Sequence, residues 1–306
     1  MSSAAELFAM SLTNIARLLL LAAIWGASFL FIRIAVPTLG PAFLMNGRVL
    51  FAALFLLLVA LLLKKRLLLA EHWRHYLKLG FINSALPFLL FAYAAGVLTA
   101  SLLSVLNATA PIWGAVIGIL FFRQPLSATV VFGLLLGVSG VAILVGFDPV
   151  LLKPGALWAV AAAASAACCY GIATHYTRRA TAVEPFANAH GSMWGALCCL
   201  LPATVLFPVQ QALTPGVAAA VLALGVICTG VAYLLYFRLV QEVGATSTLT
   251  VTFLIPVFGV FWGWLFLQEQ VGWHTLAGAL TVLTGTALVT GFNPRALLRQ
   301  RRSQRA

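Results

Sequence analysis

Residues 111–121 read PIWGAVIGILF, and residues 256–266 read PVFGVFWGWLF. The proline, both glycines and the closing Leu-Phe recur in one register, 145 residues apart. Working outward, Leu77–Pro149 aligns without a gap on Leu222–Pro294, with 19 of 73 positions identical. Chance at this composition gives roughly seven. The matches include Gly80/Gly225, Pro111/Pro256, Gly114/Gly259, Gly118/Gly263, Gly133/Gly278 and Gly140/Gly285, and both copies end in Gly-Phe-Asx-Pro. Further back, Trp25-Gly26 and Arg33 fall on Tyr170-Gly171 and Arg178. Pro41 and Asn46-Gly47 fall on Pro185 and His190-Gly191 at an offset of 144. The chain therefore reads as one unit written twice, 1–149 and 150–294, followed by a basic tail over 295–306.

The 306 residues are 63% hydrophobic and 8% charged, with a mean hydropathy of +1.07. A soluble domain carries about 25% charge, so a soluble enzyme and a nucleic-acid-binding module are both excluded. No nucleic-acid partner is expected despite the net charge of +12. A spanning helix needs roughly 20 apolar residues. Apolar runs predict all-α membrane helices near 17–37, 41–63, 76–98, 100–122, 126–147, 154–177, 185–208, 216–240, 245–268 and 272–292. With ten spans, both termini share a side. Placing them inside puts 15 of the 18 Lys and Arg there and leaves Arg33, Arg48 and Lys153 outside, which predicts N-in, C-in. The first run is of spanning length and lacks a cleavage site, so no signal peptide is expected. Five spans per copy invert one copy relative to the other. Inverted repeats of this kind underlie many secondary transporters, with the substrate near the midplane where the repeats meet.

Pro256, Gly259, Gly263-Trp264-Leu265-Phe266-Leu267, Glu269, Gly278 and Gly285, together with Trp25-Gly26-Ala27-Ser28-Phe29 and Arg48, carry a resemblance to the EamA family of the drug/metabolite transporter superfamily. It covers nearly the whole chain. The resemblance implies a ten-helix exporter of amino acids, other metabolites or drugs in a bacterial inner membrane, most similar to the YddG-type aromatic amino-acid exporters. The family's Glu at the end of the fourth helix of each half is present as Glu269, whereas Gln124 stands at the equivalent position in the first half.

Polar side chains within the hydrocarbon need a partner or a wet cavity. The substrate-binding candidates are Trp25, Asn46, Arg48, Asn83, Tyr93 and Asn107 in the first half. In the second half they are Tyr170, His175, His190, Trp194, Tyr233 and Tyr236. Amides, imidazoles and aromatic faces suit a zwitterionic, partly apolar substrate such as a neutral amino acid. Each could instead bond between helices. Asn46 and His190 stand out as repeat-related polar positions, each followed by Gly. Arg33 and Arg48 either snorkel to the outer interface or line an outer vestibule. Pro111 and Pro256, each read as mid-helix, are candidate helix breaks near the site. Gly114/Gly118 and Gly259/Gly263 read as close-packing pairs. The five cysteines read as small apolar packing residues, and Trp262, Trp264 and Trp273 as lipid-facing or interfacial.

No Walker motif is present, and all six carboxylates (Glu6, Glu71, Asp148, Glu184, Glu242, Glu269) fall at loops or helix ends. Facilitated diffusion is the leading mechanism, with proton coupling through His175 or His190 as the alternative. Neither a metal nor any other cofactor is expected, and no nucleophile–base set suggests an intramembrane enzyme. Export of cationic drugs or other metabolites, or a channel, stands as a rival. The partners expected are a small-molecule substrate and the lipid bilayer, with a monomer sufficient.

Overall fold

The computed structural model describes residues 11–180, 182–206, 209 and 211–291. Pro294, the basic tail over 295–306 and Glu6 lie outside the described residues, as do the last positions of the runs predicted to end at 208 and 292. The described chain is helical throughout, with no strands among those residues. The helices are α1 (Leu12–Leu62), α2 (Leu69–Ala95), α3 (Ala100–Phe122), α4 (Ala128–Gly146), α5 (Ala156–Arg179), α6 (Pro185–Leu206), α7 (Pro215–Ala245), α8 (Val251–Leu267) and α9 (Trp273–Thr290). Six of these are long and apolar enough to cross a membrane, namely α1 to α5 and α7. The shorter α8 is also apolar.

Local chemistry fixes the ends. Ser11, Thr99, Ser127 and Thr214 are N-caps whose hydroxyls accept from a backbone N–H three residues on. Gly40 (φ 69°, ψ 166°) breaks α1 into two arms between Pro37 and Pro41. That left-handed φ strains any residue with a Cβ, so the chain reverses in the gap between the predicted helices 17–37 and 41–63. Gly244 (φ 82°, ψ 160°) turns it again at the end of α7. α2 contains a π-helical stretch at Phe81–Ala85, and α7 contains one at Ala223–Val231. The second covers the positions equivalent to the first.

Exposed apolar side chains, among them Leu58, Leu61, Leu120, Phe121, Phe132, Leu135, Val138, Trp158, Leu280 and Phe266, ring the outside. Such a surface would be insoluble in water and suits a hydrocarbon solvent. Inside, glycines set the approach distances. A Cβ on Gly133 would meet Gly285 O at 2.8 Å, and one on Gly285 would meet Gly133 O at 2.6 Å. One on Gly140 would meet Gly278 O at 3.0 Å, and Gly278 faces Leu144 Cβ at 2.7 Å. Along the α4–α9 seam the Gly133–Gly285 contact is therefore the repeat equivalent of the Gly278–Gly140 contact. The same holds elsewhere. A Cβ on Gly26 would meet Gly259 N at 2.9 Å as one on Gly171 would meet Gly114 N at 2.8 Å, and one on Gly225 would meet Arg48 O at 2.8 Å as one on Gly80 would meet Ser192 O at 2.5 Å.

Two sequence expectations are corrected. Pro111 is not mid-helix: α3 is interrupted at Ala108–Thr109, and Pro111 opens the second segment, where a missing N–H costs nothing. Pro256 does lie inside α8. Trp262 does not face lipid alone, because its indole N–H donates to Ala23 O at 3.0 Å across the α1–α8 contact. Trp264 and Trp273 are exposed, as expected.

Candidate functional site

α2, α5, α6 and α7 enclose a cavity of about 410 Å³ lined by Leu79, Asn83, Thr177, Val183, Pro185, Asn188, Ala189, Ser192, Tyr233, Tyr236, Phe237, Val240 and Gln241. Its mouth lies where α5 passes to α6 and α7 approaches Gly244. The Lys and Arg ion pairs among the described residues gather at this end. Lys65 meets Glu184 at 3.1 Å, Arg17 meets Glu242 at 2.5 Å, and Arg238 also pairs with Glu242. His75 bridges Tyr176 OH (3.0 Å) and Asn188 Oδ1 (2.7 Å) beside the mouth.

Behind the lining residue Tyr233 sits Arg48. Its residue is buried at 7% exposure, its Nε donates to Thr229 Oγ1 at 3.0 Å, and its guanidinium lies 3.8 Å over the Phe88 ring. Tyr170, Cys228 and Tyr233 are close enough to interact with it electrostatically. No carboxylate among the described residues pairs with it. The expectation of an interfacial or outer-vestibule Arg48 is thus corrected, because the close approach at Gly225 draws α7 onto the Arg48 backbone and encloses the side chain. Asn46 Nδ2 is buried with no hydrogen-bond partner among the described residues. Ser84 and Asn83 neighbour Tyr233.

Of the candidates read from sequence, Asn83, Tyr233 and Tyr236 line the cavity. Trp25 packs on Tyr236, with ring centroids 5.8 Å apart, and Tyr170 stacks on Phe91 at 6.2 Å. His190, 2% exposed, accepts from Trp194 Nε1 at 2.9 Å, so the two form a packed pair behind the lining residue Ala189. Three candidates lie away from the cavity. Tyr93 is 51% exposed on the outer face of α2. His175 bonds Gly114 O at 2.7 Å and packs on Phe122, an approach that the bare Gly114 backbone permits. Asn107 ends the first segment of α3 beside the break, whose Ala108 carbonyl accepts from Thr286 Oγ1 at 3.0 Å. Arg33, expected at the outer interface, donates to Ala95 O at 2.5 Å and so caps α2. Sequence reasoning missed Thr177, Ser192, Phe88 and Thr229. The repeat offset could have found two of them, since Ser192 is the counterpart of Arg48 and Phe88 that of Tyr233.

A sequence profile of the EamA-like transporter family matches residues 13–146 and again residues 154–291. The chain belongs to the EamA-like transporter family, within the drug/metabolite transporter superfamily. The two matches fall one on each half of the sequence. This EamA-like protein is 23% identical over 271 residues to the uncharacterized transporter YoaV of Bacillus subtilis (strain 168), covering 87% of this chain and 93% of that one. It is 26% identical to the uncharacterized transporter YvbV of the same organism, covering 87% of each. A crystal structure of another protein superposes with a TM-score of 0.65 at 16% identity, over 95% of this chain and 98% of the other, which speaks to fold alone. The chain is a multi-pass membrane transporter.

Proposed function

We propose that this EamA-like transporter is an alternating-access exporter of neutral amino acids, aromatic ones foremost, in a bacterial inner membrane. It is built from ten spans in two inverted five-helix repeats with both termini inside. Three features support the architecture. Gly40 and Gly244 divide the long helical stretches, the repeat-equivalent contacts are reciprocal, and Arg17, Lys65 and Arg238 gather at one end, which a positive-inside protein turns to the cytoplasm. The cavity then opens inward.

The observation that carries the substrate class is Arg48. A guanidinium deep in a membrane protein costs about 2.5–3.5 kcal/mol on insertion scales, and here only a threonine hydroxyl and a phenyl face offset it. A substrate carboxylate would complete it with a bidentate, charge-assisted pair. Tyr233, Tyr236 and Phe237 supply apolar and cation-accepting faces for the rest of the molecule, and Asn83 a hydrogen-bonding amide. The same Arg48 disfavours cationic drugs through like-charge repulsion. With no carboxylate lining the cavity, the reading is facilitated diffusion.

Purified protein in liposomes tests this with labelled Trp, Phe, Thr and Met. Saturable, counterflow-stimulated uptake is expected, and non-saturable flux would indicate a channel. Accumulation driven by an imposed pH gradient alone would replace facilitated diffusion by proton coupling. Uptake of a cationic dye with no amino acid transported would overturn the substrate reading.

A further inference from the structure

The two ends of the molecule carry equivalent latches, and only one pair is engaged. Away from the cavity mouth, the Glu269 carboxylate accepts from Ala100 N (2.7 Å), Ser101 N (3.0 Å) and Ser101 Oγ (2.6 Å). A side chain of the second half thus caps the first turn of α3 in the first half. At the same end Arg33 donates to Ala95 O, the free carbonyl at the end of α2.

One repeat along, Gln124 stands for Glu269, Arg178 for Arg33, Val240 for Ala95 and Ala245 for Ala100. The backbone that aims the latch is the same in both copies. Arg123 and Gln268 are both left-handed (φ 51° and 53°). Gln124 N and Glu269 N each donate to the glycine carbonyl of the preceding turn, Gly118 O and Gly263 O, at 3.1 Å. Each side chain folds back over that glycine, because a Cβ on Gly118 would collide with Gln124 Oε1 and one on Gly263 with Glu269 Oε2. Yet Gln124 and Arg178 are exposed, and among the described residues Gln124 makes no hydrogen bond to Ala245, nor Arg178 to Val240. They stand at the open end, beside Thr177.

We propose that Glu269 and Arg33 are positioning residues that hold one end of the permeation path shut, and that Gln124 and Arg178 form the weaker counterpart at the other end. Gln at 124 then biases the resting protein toward the state open at the basic end. The inference rests on the alternating-access reading. A carboxylate on a helix N-terminus makes charge-assisted bonds roughly twice as strong as the neutral bonds of an amide, and the helix dipole adds to them. Two latches of equal geometry but unequal charge give unequal ends.

Hydrogen–deuterium exchange on the full chain in lipid nanodiscs tests this without substrate. The amides of 100–101 are expected to exchange at least about tenfold more slowly than those of 245–246. Glu269→Gln should speed exchange at 100–101 about tenfold and slow it at 245–246, a reciprocal response that a local cap does not produce. Gln124→Glu should do the same through the other end, slowing 245–246 and speeding 100–101. Loosening at 100–101 with no response at 245–246, or no change at either end in Gln124→Glu, overturns the proposal. Should Glu269→Gln fail to fold, Gln124→Glu alters an exposed side chain and still decides. Reciprocal exchange in a protein that moves no amino acid would sink the substrate reading only, and transport without reciprocity would sink the latch only.

Discussion

Position for position, two walls of the molecule are built from equivalent residues and buried differently. Thr177, Tyr233, Tyr236, Phe237 and Val240 line the cavity. Their counterparts Ile32, Phe88, Phe91, Ala92 and Ala95 sit in the packed core at 7% exposure or less. Both walls stand on equivalent helices, both beside a π-helical stretch. Burial at these positions is therefore a property of the conformation more than of the fold. The composition differs as well: the open wall carries three hydroxyls and the closed wall none. The halves share a scaffold but divide the labour, with Arg48 the exception on the packed side, where the second half has Ser192.

Making the halves alike at that exception is the severest way to break the comparison. Arg48→Ser should lower saturable uptake in liposomes by about 100-fold, the order expected when one partner of a buried charge pair is lost. Arg48→Lys should recover part of it, since an ammonium keeps the charge without the bidentate fork. Ser192→Arg in the wild-type background should not substitute for Arg48.

Next comes the seam about which the two walls are arranged. Gly285→Val places a side chain against Gly133 O and Gly137 N, both 2.6 Å from a Cβ. Its thermal midpoint in detergent should fall by the equivalent of about 1–3 kcal/mol. Exchanging wall residues sharpens the contrast. Ala92→Phe, the residue of its counterpart Phe237, should cost a similar 1–3 kcal/mol because Ala92 has no free surface. Phe237→Ala should cost less than Ala92→Phe in the same melt, because one side of that ring faces a cavity. The smallest effect is expected outside both walls. Tyr93→Ala should leave uptake unchanged within twofold and stability within about 0.5 kcal/mol.

The repeat was legible because Gly and Pro are rare enough to register above a shared apolar background, and the structure places those glycines at reciprocal contacts. The helix limits were legible from the ends of the apolar runs, and the structure caps two of them with Ser127 and Thr214. What could not be read was rotation. These helices are apolar nearly all round, so no 3.6-residue stripe says which face turns inward. Tyr93 and Tyr233 look alike in sequence, yet one faces outward and the other lines the cavity. Arg48 reads from sequence as a residue near the outer end of the predicted helix 41–63. Its actual environment depends on α7, whose approach is set at Gly225 by a contact that no local pattern announces. His175 likewise has a partner that no side-chain pattern announces, a backbone carbonyl exposed by Gly114.

The Arg48–Thr229 hydrogen bond joins residues 181 positions apart. Ribosomes add about 5–20 residues per second, so a nascent Arg48 enters the bilayer roughly 10–35 s before its partner exists. The phenyl face of Phe88 arrives within about 10 s on the same scale and is its first companion. During synthesis the first half therefore holds an unshielded cation, and its assembly cannot finish until the second half is delivered. A truncation after α4 should accordingly be retained by the insertion machinery or degraded, whereas the two halves expressed together should rescue each other.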